Sequence, residues 1–109
     1  MDEIEWLEPW IPVAEGNSFV DELQRELSSL HPLFGCRVKA IGYRGDQDDV
    51  LFELLDKPPQ LAVAHLTWKM SEEPDPTWPW TVIYADRADW VKRCMMPDHA
   101  EWSAGNQPE

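Results

Sequence analysis

Apolar positions along the chain change their period twice. From residue 18 onward Phe19, Val20, Leu23, Leu27 and Leu30 recur at helical spacing, with Glu22, Gln24, Arg25 and Glu26 between them. This predicts an amphipathic helix with its acidic side in water. Ser18 and Asp21 have the spacing of a shortened capping box. Pro32 ends the helix, because the residue before a proline avoids the helical region. The period then drops to two: Val38 and Ala40 alternate with Arg37, Lys39, Ile41 and Tyr43, and Val50, Phe52 and Leu54 with Leu51, Glu53 and Leu55. Strands are expected over residues 36–44, 49–55, 61–68 and 80–85, with turn residues at 45–48 and 56–59. An acidic loop carrying Pro74, Pro76 and Pro79 joins the last two strands. Asp86, with Asp89 three residues on, starts a helix bearing Trp90, Val91, Cys94 and Met95. Pro97 is expected to stop it, and Asp98 to open a short turn that docks Trp102.

These elements predict an α+β fold, a four-stranded antiparallel meander with N- and C-terminal helices packed on one face. Residues 1–102 form a single domain, in which 1–16, interrupted by Pro9 and Pro12, are an extended arm carrying Trp6 and Trp10. Residues 103–109 are a polar flexible tail. Lys39 and Glu53 should avoid the helices, which places Val38, Ala40, Phe52, Ala62, Ala64 and Leu66 beneath them. The other face then shows Ile41, Tyr43, Leu51, Leu55, Leu61, Val63, His65 and Thr67. That is too apolar for a face left in water and is expected to be an interaction surface. The opposite phase, with Leu61 and Val63 under the helices, leaves a weaker patch. Trp68 and Trp80, at the ends of neighbouring strands, are expected to pair across the sheet.

Charge narrows the partners. The chain has 109 residues, 21 acids against 9 bases and a net charge of −12, which repels nucleic-acid phosphates and anionic membranes and favours a basic protein surface. Seven tryptophans supply much of a small core, since each aromatic buries about 150–250 Å². The start, Met1 to Glu5, is acidic where a secretory signal is basic. Cys36 and Cys94 show no C-x-x-C spacing, so a reducing cytoplasm is expected.

Most catalytic signatures are missing: there is no phosphate-cradling glycine loop, no nucleophile elbow and no H-E-x-x-H. His31 is expected as a cation at a helix end. No spacing calls for a metal or a cofactor; a site from His65 and His99 with Asp98 or Glu53 would depend wholly on folding. Asp46 to Asp49 begins like a calcium loop but has Leu51 where the glycine belongs and Lys57 where the bidentate acid belongs. Arg44-Gly45-Asp46 reads as a chance adhesion tripeptide.

The segments HPLFG (31–35), DDVLF (48–52), HLTW (65–68), the Trp78-Pro79 stretch through Thr81 and PDHAEW (97–102) together resemble a family of small bacterial proteins. The resemblance runs from His31 to Trp102. It implies a bacterial cytosolic setting and carries over no activity, cofactor or site residue. The expected function is a non-enzymatic protein-binding module. It would use the open apolar sheet face to bind a second copy as a homodimer or a basic partner, as an immunity-type protein does with a toxin. The alternative is a small-molecule binder or enzyme with a site around His65, where Tyr43, Glu53 and Thr67 are the polar groups and Trp78 is the rim.

Overall fold

The computed structural model describes residues 4–105. Strands β1 (Trp10–Pro12), β2 (Val38–Arg44), β3 (Asp49–Leu54), β4 (Leu61–His65) and β5 (Trp80–Tyr84) make one antiparallel sheet in chain order. The sheet therefore has five strands, not four. The extra one comes from the arm: Trp10 pairs with Arg44 and Ile11 with Tyr43. A proline at Pro12 is tolerated there because β1 lies at the sheet edge.

Helix α1 (Asn17–Glu26) stops early. Leu27 has already left the helix with ψ 121°, so Leu30 faces solvent at 78% exposure instead of completing the apolar stripe. Gly16 precedes the helix without any side-chain cap, and the expected Ser18 box is not used. The second cap forms as expected. Asp89 N–H donates to Asp86 Oδ1 at 2.8 Å and Ala85 N–H to Asp89 Oδ2 at 2.9 Å, a reciprocal box built with two aspartates.

Pro97 does not end the C-terminal helical stretch. Helix α2 (Arg87–Trp90) passes through a π turn over Val91–Met95 into α3 (Met96–Gly105). Met96 N–H bonds Val91 O five residues back. One wide turn ahead of the proline accommodates a ring that brings no N–H. Residues 103–105 are thus helical, and the rest of the expected tail lies outside the described residues.

Both sheet faces are covered, which corrects the expectation of helices on one side only. Leu23 of α1 and Leu27 just after it pack on Val38, Ala40, Phe52, Ala62 and Leu66, the phase read from the sequence. The face expected to be open, with Leu51, Leu61 and Val63, lies under Trp90, Met95 and the arm's Trp10. Residues 61–64 are buried at every position, as a strand covered on both faces must be. A bulge between Ala40 and Gly42 puts an extra residue into β2 and reverses the alternation after it. Tyr43 therefore joins the α1 side, where it stacks on Phe19 at 5.6 Å. On the other side Trp90 takes the edges of Trp10 at 5.1 Å and Trp6 at 5.8 Å.

Gly42 makes that second packing possible, because a Cβ there would run into the Trp6 ring. Gly42→Ala is expected to destabilise the fold by about 1–3 kcal/mol through overpacking. Urea denaturation checks this, with Gly105→Ala, where nothing lies within 4 Å, as the neutral control.

Candidate functional site

Two glutamates organise the loop after β4. Glu22 and Glu26 are both 0% exposed, although their spacing reads as the wet side of α1. The loop folds over that side. Glu26 accepts the Thr67 N–H at 2.9 Å with one oxygen and the Trp68 N–H at 2.8 Å with the other. Glu22 Oε2 accepts the Met70 N–H at 3.1 Å, and its Oε1 accepts from Arg25 Nη2 at 2.9 Å. Trp68 (φ 56°) and Met70 (φ 63°) are in the left-handed region, which costs a bulky residue about 1–3 kcal/mol. They are two of the three residues whose N–H groups the carboxylates hold. The turn is a nest of backbone donors of the kind that binds anions, filled here by the chain's own side chains.

Burial and the neighbouring Glu22 push the Glu26 carboxyl up to about 7. Burial pushes Glu22 up as well, but hydrogen bonds from Glu26, the Met70 N–H and Arg25 outweigh it and hold Glu22 below its ordinary value. Glu26 thus carries the proton of the pair and Glu22 the charge.

His31 fixes the other end of the loop. Its Nδ1 accepts the Leu33 N–H at 3.0 Å, and its Nε2 donates to Pro79 O at 2.9 Å. Accepting at Nδ1 requires a lone pair there, so the ring is the neutral Nε2-protonated tautomer. It is buried and is not the helix-end cation expected.

A second polar cluster ties the C-terminal helices to the sheet. Asp98 accepts from Trp10 Nε1 at 2.8 Å and from Cys94 Sγ at 3.5 Å, and it pairs with Arg44 at 3.4 Å. Burial and the Asp98 charge push the Cys94 thiol up to about 12. Burial and Cys94 push the Tyr84 phenol up too. Both keep their protons at neutral pH, so Cys94 offers no thiolate. Nearby, His65 Nδ1 meets Asp49 Oδ1 at 2.7 Å, with the His65 side chain 40% exposed.

The five residues singled out in the sequence do not converge. His65 is on the side of α2 and α3, and Tyr43 is on the α1 side. Glu53, four residues along β3 from Asp49, pairs with Arg87 at 2.6 Å. It lines a cleft of about 320 Å³ with Pro58 and Pro59. Tyr43 lines a separate cleft of about 250 Å³ with Phe19 and Trp68. Thr67 serves through its backbone N–H to Glu26. Trp78 is exposed in the loop, its N–H on Asp75 O at 3.0 Å. His99 lies on Glu8 O and Ser103. Among the described residues no group of three His, Cys, Asp or Glu is placed to hold a metal.

Trp68 and Trp80 do not pair either. Trp80 stands opposite His65 on one face, and Trp68 meets Phe19 at 6.1 Å on the other. Helical periodicity alone passes over Glu22 and Glu26. The available signal was their like charge at i, i+4, a spacing that destabilises an isolated helix and therefore asks for a reason.

What the fold leaves available is β5. Its five residues, Trp80 to Tyr84, carry no charge. Among the described residues no strand pairs with its outer side. Trp80 is 55% exposed, and Trp78 and Ile83 are exposed beside it. The structure thus defines an antiparallel five-stranded sheet between helical layers, with one blunt edge at β1 and one open edge at β5. Comparison with protein-family models, curated proteins and solved structures finds no match to this chain. Among the described residues no helix is long and apolar enough to cross a membrane.

Proposed function

We propose that this chain is a protein-binding module whose β5 edge accepts an extended, basic segment of a partner as a sixth strand. The carrying observation is the uncharged, aromatic edge strand with its outer side unpaired among the described residues. Such an edge offers a row of N–H and C=O groups for strand addition. His31 fixes the entry to β5 through Pro79. Charge selects the occupant. Glu72 and Asp75 precede β5, Asp86 follows it, and the whole chain carries −12. A basic segment is attracted, whereas a second copy brings the same negative charge. The covered sheet face leaves the edge as the surface for this role.

The test uses two synthetic peptides of alternating Val and Thr, one ending in Lys and one in Glu, with amide shifts of the full chain as readout. Shifts centred on residues 80–84, about tenfold tighter binding of the Lys-ended peptide at low salt and loss of both effects in Ile83→Lys are expected. Equal binding of the two peptides, or shifts that avoid β5, would overturn the reading. A dimer in sedimentation that Ile83→Lys dissolves would assign the edge to a second copy.

One observation favours a second reading, a small-molecule or enzymatic site around His65: the Asp49 contact orients a half-exposed imidazole as acid–base chemistry requires. A fragment screen read on the His65 ring protons checks it. If no fragment moves His65 more than it moves His99, this reading is excluded.

A further inference from the structure

We infer that Glu22 and Glu26 form a one-proton latch, which holds the Thr67–Met70 turn closed while the proton is shared and loosens it when the pair takes a second charge. The inference goes beyond the binding role proposed above and does not depend on it.

The geometry carries it. Three backbone N–H groups converge on two carboxyl groups that are wholly shielded from water. With one proton present, Glu26 can donate its O–H to Glu22 and still accept from the turn, and Arg25 answers the single charge of Glu22. With no proton, two like charges sit one helical turn apart in a dry site. A second cation is not at hand among the described residues. From α1 the facing charge is Arg25, already on Glu22. From the loop, Lys69 and Glu73 pair with each other at 3.4 Å. The sheet beneath offers Tyr43, and the turn before β2 offers Cys36, as titratable groups among aliphatic and aromatic side chains. His31 is committed to Leu33 and Pro79.

The second charge is therefore relieved by admitting water, and the turn is what can move. The left-handed angles at Trp68 and Met70 favour the same release, because those residues return to ordinary backbone once their N–H groups are let go. Pro79 stays on His31, so β5 keeps its place while the first half of the loop opens and Trp68 leaves Phe19. The linkage has a definite sign. Glu26 binds its proton more tightly in the folded chain, with a value of about 7 against 4.5 for the free group. Its contribution to stability is fully present below about 4.5 and is lost as the pH rises to about 7.

The experiment is a pH titration of the full chain labelled with carbon-13 at the glutamate side-chain carboxyls. The Glu26 carboxyl is expected to titrate with a midpoint near 7, together with the Thr67, Trp68 and Met70 amide shifts. Exchange of those amides, corrected for base catalysis, is expected to speed up about tenfold between slightly acid and slightly alkaline solution, as local opening predicts. Glu26→Gln, neutral and still able to donate to Glu22 but left with one oxygen for the two N–H groups that Glu26 holds, should remove the step near neutrality from the amide shifts. If that variant does not fold, the wild-type titration decides alone. A Glu26 midpoint in the ordinary carboxylate range, amides that stay flat through neutrality, or an unchanged titration in Glu26→Gln would each overturn the inference.

Discussion

Trp90→Ala is expected to cost about 3–5 kcal/mol, the range for removing a fully buried large aromatic. In a domain whose whole stability is about 5–15 kcal/mol, that leaves a fold near its limit. Trp90 has no exposed surface and is the ring on which Trp6 and Trp10 both close. Its loss opens a cavity under the arm, the sheet and the π turn at once. Trp90→Phe separates volume from polarity. The indole Nε1 finds no acceptor among the described residues, so phenylalanine removes an unsatisfied donor along with some volume. Its cost should be less than half that of alanine. Urea denaturation of both variants is the check, and equal losses would show that the ring's packing is not what matters there.

Asp98→Ala should have the next largest effect, about 2–3 kcal/mol, because it leaves a buried indole N–H and the mostly buried Arg44 without their shared acceptor. Arg44 keeps Asp46 at 2.7 Å, which limits the loss. Asp98→Asn retains a carbonyl for Trp10 and should cost about 1 kcal/mol. The charge supplies a second readout. Asp98 helps hold the Cys94 proton, so a thiol probe should react faster with Cys94 in Asp98→Asn than in the wild type, in a Cys36→Ser background. An unchanged thiol rate would mean that burial alone protects Cys94.

Local patterns were legible and long-range ones were not. Alternation located β2 to β5 within a few residues, and Asp86 with Asp89 announced their cap, because both signals lie within one strand or one turn. The α1 side of the sheet was also readable, since Lys39 and Glu53 had to avoid it. Coverage of the second face was not readable, for it depends on a three-residue strand in a proline-broken arm, which brings Trp10 onto Trp90 and Met95. The bulge at residues 40–42 moves Tyr43 to the other face and so divides the site expected around His65. Glu22 and Glu26 look solvated because helical periodicity reports which side is polar and says nothing of a loop folding over it. His31, too, is defined by Pro79, 48 positions away.

The two edges of the sheet also set a limit on assembly. β1 is three residues long and ends in Pro12, whereas β5 is five residues long and carries no proline. Growth by strand addition can therefore proceed in one direction only. If β5 takes a partner as proposed above, the chain has no second edge of comparable length, among the described residues, to extend, and pairing there is expected to stop at one to one. On the binding role proposed above, the head-to-tail filaments that a sheet open at both ends can build are not expected.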